Sequence, residues 1–200
     1  MDRIARVISY IEGLHDFRVL PPEAPPTHIG AVLVDAALQA GLNYDNVVKP
    51  RVEAVEAIVG ARTAKGFLEL LAARGAESVL SWSPGRKPRL VVALTELLVT
   101  EGVDTVDDLR AWLQNSANLS KRSSLHGVGP KTVDYLKSLA GLPSVAIDVH
   151  LERFLHAAGV SPADYHDGRS LIEGAADRMG IDRTALDYSI WYYMAHPSGV

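Results

Sequence analysis

The sequence predicts an all-α protein, and three observations lead there. Apolar residues recur at spacings of three and four through most of the chain, the period of one helical face. Alternating period-2 runs, the mark of a half-buried strand, are nearly absent. The run Leu90-Val-Val-Ala-Leu94 could pass for a buried strand, but its continuation through Leu97, Leu98 and Glu101 fits one helical face better.

Taken in order, Asp2 can cap a first helix with Ile4, Val7, Ile8 and Ile11 on one side and a stop near Gly13. Leu20-Pro-Pro-Glu-Ala-Pro-Pro26 is a stiff extended connector and a candidate boundary. Thr27 is expected to cap a helix through Ala40 with Gly41 as its stop. Pro50 suits the first position of another, ending at Gly60. Helical patterns follow at about 63–74, 87–101 and 105–115, separated by Gly75, Ser83-Pro84-Gly85 and Gly102. Glycines 127 and 129 flanking Val128, with Pro130 behind them, predict a helix at roughly 117–124, a tight hairpin, and a helix at 130–140. Asp148 can cap a further helix over 149–158. The expected organisation is a helical barrel over 27–140 carrying the hairpin, and a second helical lobe from 1–26 with 141–200, with a DNA-binding cleft between them.

Two hundred residues with 48% hydrophobic content can bury a proper core. The amphipathic start MDRIARVISYIEGL lacks the pattern of a secretory leader, and no uncharged apolar window approaches membrane-spanning length, so a cytoplasmic protein is expected. The absence of cysteine excludes disulfides, cysteine-ligated zinc and a cysteine-held iron–sulfur cluster. No histidine pair has metal-ligand spacing with a suitable carboxylate, so no metal site is expected. The net charge of −4 argues against a protein that blankets nucleic acid. Yet two acid-free windows stand out: Ser78 to Thr95 with Arg86, Lys87 and Arg89, and Leu109 to Val133 with Arg110, Lys121, Arg122 and Lys131. Charge runs of this kind are most often solvated helix edges.

The stretch LHGVGPKT sets a lysine at the start of a helix, where the first turn carries unsatisfied N–H groups and the positive end of the macrodipole. A glycine-rich turn before a helix suits an anion such as phosphate. The phosphate-loop motif is excluded by spacing, because Pro130 and Leu125 occupy the positions where it needs glycine. A lone Gly-x-Gly is more often a ligand-free turn.

Together, LHGVGPKT and VAIDVHLERF resemble the hairpin and terminal-aspartate segments of the helix-hairpin-helix DNA glycosylase superfamily, which includes endonuclease III and 8-oxoguanine glycosylase. Leu125, Gly127, Val128, Gly129, Lys131 and Thr132 match the hairpin; Ile147, Asp148, Val149 and His150 match the aspartate segment. Ala31-Val-Leu-Val-Asp-Ala-Ala-Leu-Gln39 resembles the family's helix ending in the glutamine that fills the gap left by an extruded base. His126 stands where proline is usual, Val133 where alanine is usual, and Ala40-Gly41-Leu42 where Ala-Thr-Asp is common. The resemblance implies a bifunctional DNA glycosylase and abasic-site lyase without an iron–sulfur cluster. Lys131 would be its Schiff-base nucleophile and Asp148 its electrostatic partner. It implies DNA contacts from Gly127, Val128, Gly129, Lys121, Arg122, Thr132 and Gln39, and a monovalent cation at the hairpin carbonyls. The implied partner is duplex DNA with damaged or abasic sites, bound by a monomer. Two alternatives stay open: a non-catalytic helix-hairpin-helix DNA-binding module, and an abasic-site lyase that removes no base.

Base excision needs a nucleophile at the anomeric carbon and an anion near the oxocarbenium-like transition state, and an amine nucleophile also permits β-elimination. A helix N-terminus and partial burial both favour the neutral, nucleophilic amine. A flipped base needs a filler and a walled pocket. Gln39, Asn43 and Tyr44 are filler candidates, and Trp82, Trp112, Trp191, Tyr192 and Tyr193 wall candidates, although large aromatics at helical spacing usually belong to the core. His150 is expected to serve its helix rather than act as a second acid.

Overall fold

In the computed structural model, which describes residues 2–21, 24–119 and 127–196, every regular element is helical. The α-helices are α1 (Arg3–Gly13), α2 (Ile29–Leu38), α3 (Lys49–Glu56), α4 (Ala64–Arg74), α5 (Ala76–Val79), α6 (Arg86–Thr100), α7 (Val106–Gln114), α8 (Ser116–Leu119), α9 (Pro130–Leu139), α10 (Val149–Ala157), α11 (Tyr165–Met179) and α12 (Arg183–Ala195). A π-helical turn, Tyr44–Val48, leads into α3, and a 3-10 turn, Val59–Arg62, follows it. The chain divides into two compact units, Met1–Ala24 with Leu142–Val200, and Pro25–Gly141.

The unit Pro25–Gly141 is built around α2. All ten residues of that helix are buried, as a helix that is apolar on every side must be. It packs against α3, α4, α6 and α9. The close approach of the 3-10 turn depends on Gly30, where an added Cβ would lie 2.7 Å from the Ala61 carbonyl oxygen. His28, not Thr27, caps α2: its Nδ1 accepts from the Ala31 N–H at 3.2 Å, while Nε2 donates to the Ile58 carbonyl at 3.1 Å. A neutral imidazole with one acceptor and one donor nitrogen does here what a hydroxyl was expected to do. The helix anticipated from Pro50 to Gly60 stops at Glu56, with Pro50 in its first turn. Ile58 turns extended, and the chain tightens into the 3-10 turn.

The other unit assembles α1, α10, α11 and α12. Val7 and Ile11 of α1 join Leu151, Phe154 and Leu155 of α10, Leu171, Ile172 and Ala176 of α11, and Leu186 and Ile190 of α12 in one core. Tyr10 meets Phe154 edge-on at 5.1 Å, and Phe17 meets Tyr193 at 5.7 Å, the offset geometries that ring quadrupoles favour. The Leu20 N–H donates to the Ser189 hydroxyl at 2.8 Å, anchoring the segment after α1 to α12.

Candidate active site around Lys131 and the segment carrying Asp148

Lys131 lies in the first turn of α9, behind Pro130 and the N-cap Gly129, and no side chain caps this helix. Gly127 adopts a φ of +102°, which a residue with a Cβ rarely tolerates. An added Cβ would also lie 3.0 Å from Nη2 of Arg86, so the glycine leaves room for a guanidinium. Val128 turns inward onto an apolar cavity lined also by Leu33, Leu94, Trp112, Val133 and Leu136. Thr132 is buried. Lys121 and Arg122, together with most of the first hairpin helix anticipated at 117–124, fall outside the described residues; α8 covers only its start.

Residues four apart on a helix share a face, and two such pairs meet where α2 and α9 pack. Lys131 Nζ donates to Oε1 of Gln39 at 2.8 Å. One turn along, the Tyr135 hydroxyl donates to Oδ1 of Asp35 at 3.0 Å, and the Tyr44 hydroxyl donates to Oδ2 of the same carboxylate at 3.0 Å. Asp35 is 4% exposed and is the sole charged residue of α2. An ammonium has only donors, so the amide oxygen of Gln39 must face it. That leaves Gln39 Nε2 buried with no hydrogen-bond partner.

A second lysine closes the end of α2. Lys87 Nζ donates to the carbonyls of Ala37, Leu38 and Ala40 at 2.9, 3.0 and 2.9 Å. Burial holds its ammonium below the usual lysine range, and the charges of Arg86 and Lys131 push the same way. Arg86 is exposed and makes no hydrogen bond or ion pair among the described residues. The first turns of α6 and α9, both starting from glycine, thus bring two ammonium groups, those of Lys87 and Lys131, to the end of α2.

Asp148, in the other unit, is the N-cap of α10, its Oδ1 accepting from the His150 and Leu151 N–H groups at 2.8 and 3.0 Å. His150 belongs to the first turn of α10, and its Nδ1 is buried without a hydrogen-bond partner.

Of the filler candidates, Gln39 stands beside Lys131, Asn43 caps the π-helical turn by accepting from the Asn46 N–H, and Tyr44 is committed to Asp35. Among the wall candidates, Trp82 carries the Arg51 guanidinium at 4.7 Å from its ring, and Trp112 Nε1 donates to Glu101. Trp191 and Tyr192 pack with Tyr188 and His196 along α12, and Tyr193 packs on Phe17. Among the described residues no group of acidic and histidine side chains could hold a metal ion, and no helix is long and apolar enough to cross a membrane.

Asp35, Tyr135 and the contact roles of Lys87 and Arg86 were not anticipated. A signal was there for the first two: one acid inside a ten-residue apolar run, four before Gln39, and one tyrosine four after Lys131.

Comparison with curated proteins and with solved structures returns no match. A family model does match, over residues 3–195, nearly the whole chain. The chain therefore belongs to the family described as a domain of unknown function, DUF8548.

Proposed function

We propose that the protein is a DNA glycosylase with abasic-site lyase activity, with Lys131 as the nucleophile. One observation carries the reading: the Lys131 amine sits at an uncapped helix N-terminus, held by Gln39 and with the Lys87 cation as a neighbour. A structural lysine gains from carboxylates and helix C-termini, whereas positive neighbours and a helix N-terminus favour the neutral amine. An amine so placed is suited to attack.

In the reaction, the nitrogen lone pair of Lys131 attacks C1′ of the flipped nucleotide and the base departs with the glycosidic electrons, taking up a proton. Asp148 accepts the proton that the attacking nitrogen gives up, and its negative charge steadies the oxocarbenium character of the sugar. Opening of the sugar ring gives a protonated Schiff base; loss of a C2′ proton then expels the 3′ phosphate. Lys131 and Asp148 belong to different units. The monovalent cation, the hairpin contacts to phosphate and the damaged or abasic duplex partner belong to the same proposal.

Borohydride trapping tests it. Duplexes with an abasic site or a damaged base should give a covalent adduct with the wild-type chain and none with Lys131→Gln. Asp148→Asn should fold, because asparagine caps helices as well as aspartate, yet slow adduct formation by about a hundredfold, the scale of one electrostatic contribution. Binding of abasic duplex without any adduct would identify the non-catalytic module instead. Adduct formation with abasic DNA but no damaged base would identify a lyase alone.

A further inference from the structure

We infer that Gln39 controls the protonation of Lys131: parked on the amine it keeps the nitrogen charged and unreactive, and on leaving to fill the duplex it releases the nucleophile. The inference rests on the Schiff-base reading above.

The two rungs between α2 and α9 differ in strength. The Asp35 rung is a buried carboxylate engaged by two hydroxyls, from Tyr135 on α9 and from Tyr44 on the π-helical turn. Such a charged, doubly hydrogen-bonded group fixes the helices in register. At the Gln39 rung the acceptor is a neutral amide whose own NH₂ is buried and unsatisfied. Burying a donor without a partner is costly, so the parked amide gains from leaving. It also lies at the end of its helix: Gln39 is the C-cap of α2, and Gly41 two residues on has a φ of +74°. The side chain that would enter the stack is thus the same one that holds the lysine.

The electrostatics give the direction. The neighbours of Lys131 include Gln39 and, one turn away, Asp35 on α2; Lys87 on α6, which has Arg86 beside it; Tyr135 on its own helix; and Tyr44 beyond Asp35. A carbonyl oxygen that accepts from the ammonium favours the charged form. The Lys87 cation and the helix N-terminus disfavour it. The Asp35 carboxylate opposes them from a fixed position, which does not change when Gln39 moves. With Gln39 withdrawn, the balance therefore shifts toward the free amine. Entry into the duplex and activation of the nucleophile become one event.

Competitive labelling of the full chain with trace acetic anhydride, read lysine by lysine by mass spectrometry across pH, measures this without any enzymatic step. In Gln39→Ala and Gln39→Leu the labelling midpoint of Lys131 should fall by about one pH unit, with Lys137 unmoved. In Gln39→Glu it should rise. The opposite signs separate the effect from general loosening of the fold. A midpoint unchanged or raised in both Gln39→Ala and Gln39→Leu overturns the proposal. A single-stranded abasic oligonucleotide has no stack to fill, so loss of the filler costs nothing there. At acidic pH, Gln39→Ala should trap on it about tenfold faster than the wild type, and equal or slower trapping would also overturn the proposal. No wild-type adduct at any pH, with the midpoint still shifted, sinks the Schiff-base reading and leaves the hold of Gln39 on Lys131 standing.

Discussion

Tyr135 and Tyr44 both spend their hydroxyls on one carboxylate that water scarcely reaches. Removing either hydroxyl leaves Asp35 short of a donor in a medium where a charge can find few others. Tyr135→Phe and Tyr44→Phe should each lower stability by about 1.5–3 kcal/mol, the worth of a hydrogen bond to a charged group; urea unfolding monitored by circular dichroism reads the change. If the Asp35 rung sets the register for Lys131, Tyr135→Phe should also slow borohydride trapping, whereas a purely stabilising role would leave trapping unchanged under folding conditions. The sequence exposed the proposed nucleophile of this neighbourhood more readily than its support. Lysine after Gly-Val-Gly-Pro is a local anomaly, visible within eight residues. The meeting of Asp35 with Tyr135 spans a hundred residues of chain, and no periodicity reports which faces of two distant helices will touch. The same distance hides Lys87, whose acceptors lie some fifty residues upstream.

Helix boundaries show where local rules suffice. Asp2 and Asp148 cap the helices expected of them, and Thr63 and Thr105 cap the helices that apolar spacing placed at about 63–74 and 105–115, since the short polar side chain reaches the first-turn N–H groups without help from the rest of the protein. His28 displaces Thr27 for a tertiary reason: its second ring nitrogen finds the Ile58 carbonyl. The cap of α7 is a reciprocal box, with Asp108 accepting from the Thr105 hydroxyl and from the Thr105 and Asp104 N–H groups, all of which hold its carboxyl below the usual range. Because the folded-state value lies below the unfolded one, the contribution is present above the unfolded pKa and is lost as pH falls through the folded one. Asp108→Asn should be less stable than the wild type at neutral pH, and the difference should close by about pH 2 in urea titrations at the two pH values. Gly30→Ala belongs to this scale too. With Ala61 backbone 2.7 Å and the Phe67 ring 3.2 Å from the new methyl, it should cost about 1–3 kcal/mol by overpacking, although alanine is the better helix former.

At the scale of the molecule, a net charge of −4 sets a weak background field against any polyanion. On the proposed reading, binding to DNA would depend on a few local cations, among which Arg86 is exposed and unpaired among the described residues. The logarithm of affinity against the logarithm of salt concentration should have a slope of about −3, corresponding to about three phosphate contacts; fluorescence anisotropy over a salt series measures it, and a slope near −8 would contradict so small a footprint. That every regular element among the described residues is helical was legible from apolar spacing alone. The two C-terminal helices were not singled out in advance, although Asp164, Gly180 and Asp182 mark their ends by the same local rules. Lys87 carries a further consequence at this scale. The carbonyls at the end of α2 are satisfied by an ammonium delivered from α6, so the end of α2 is defined by assembly. A peptide covering residues 25–48 should fray there, and the full chain should acquire amide protection at the end of α2 only once α6 has docked, making this the late-forming edge of an otherwise early helix.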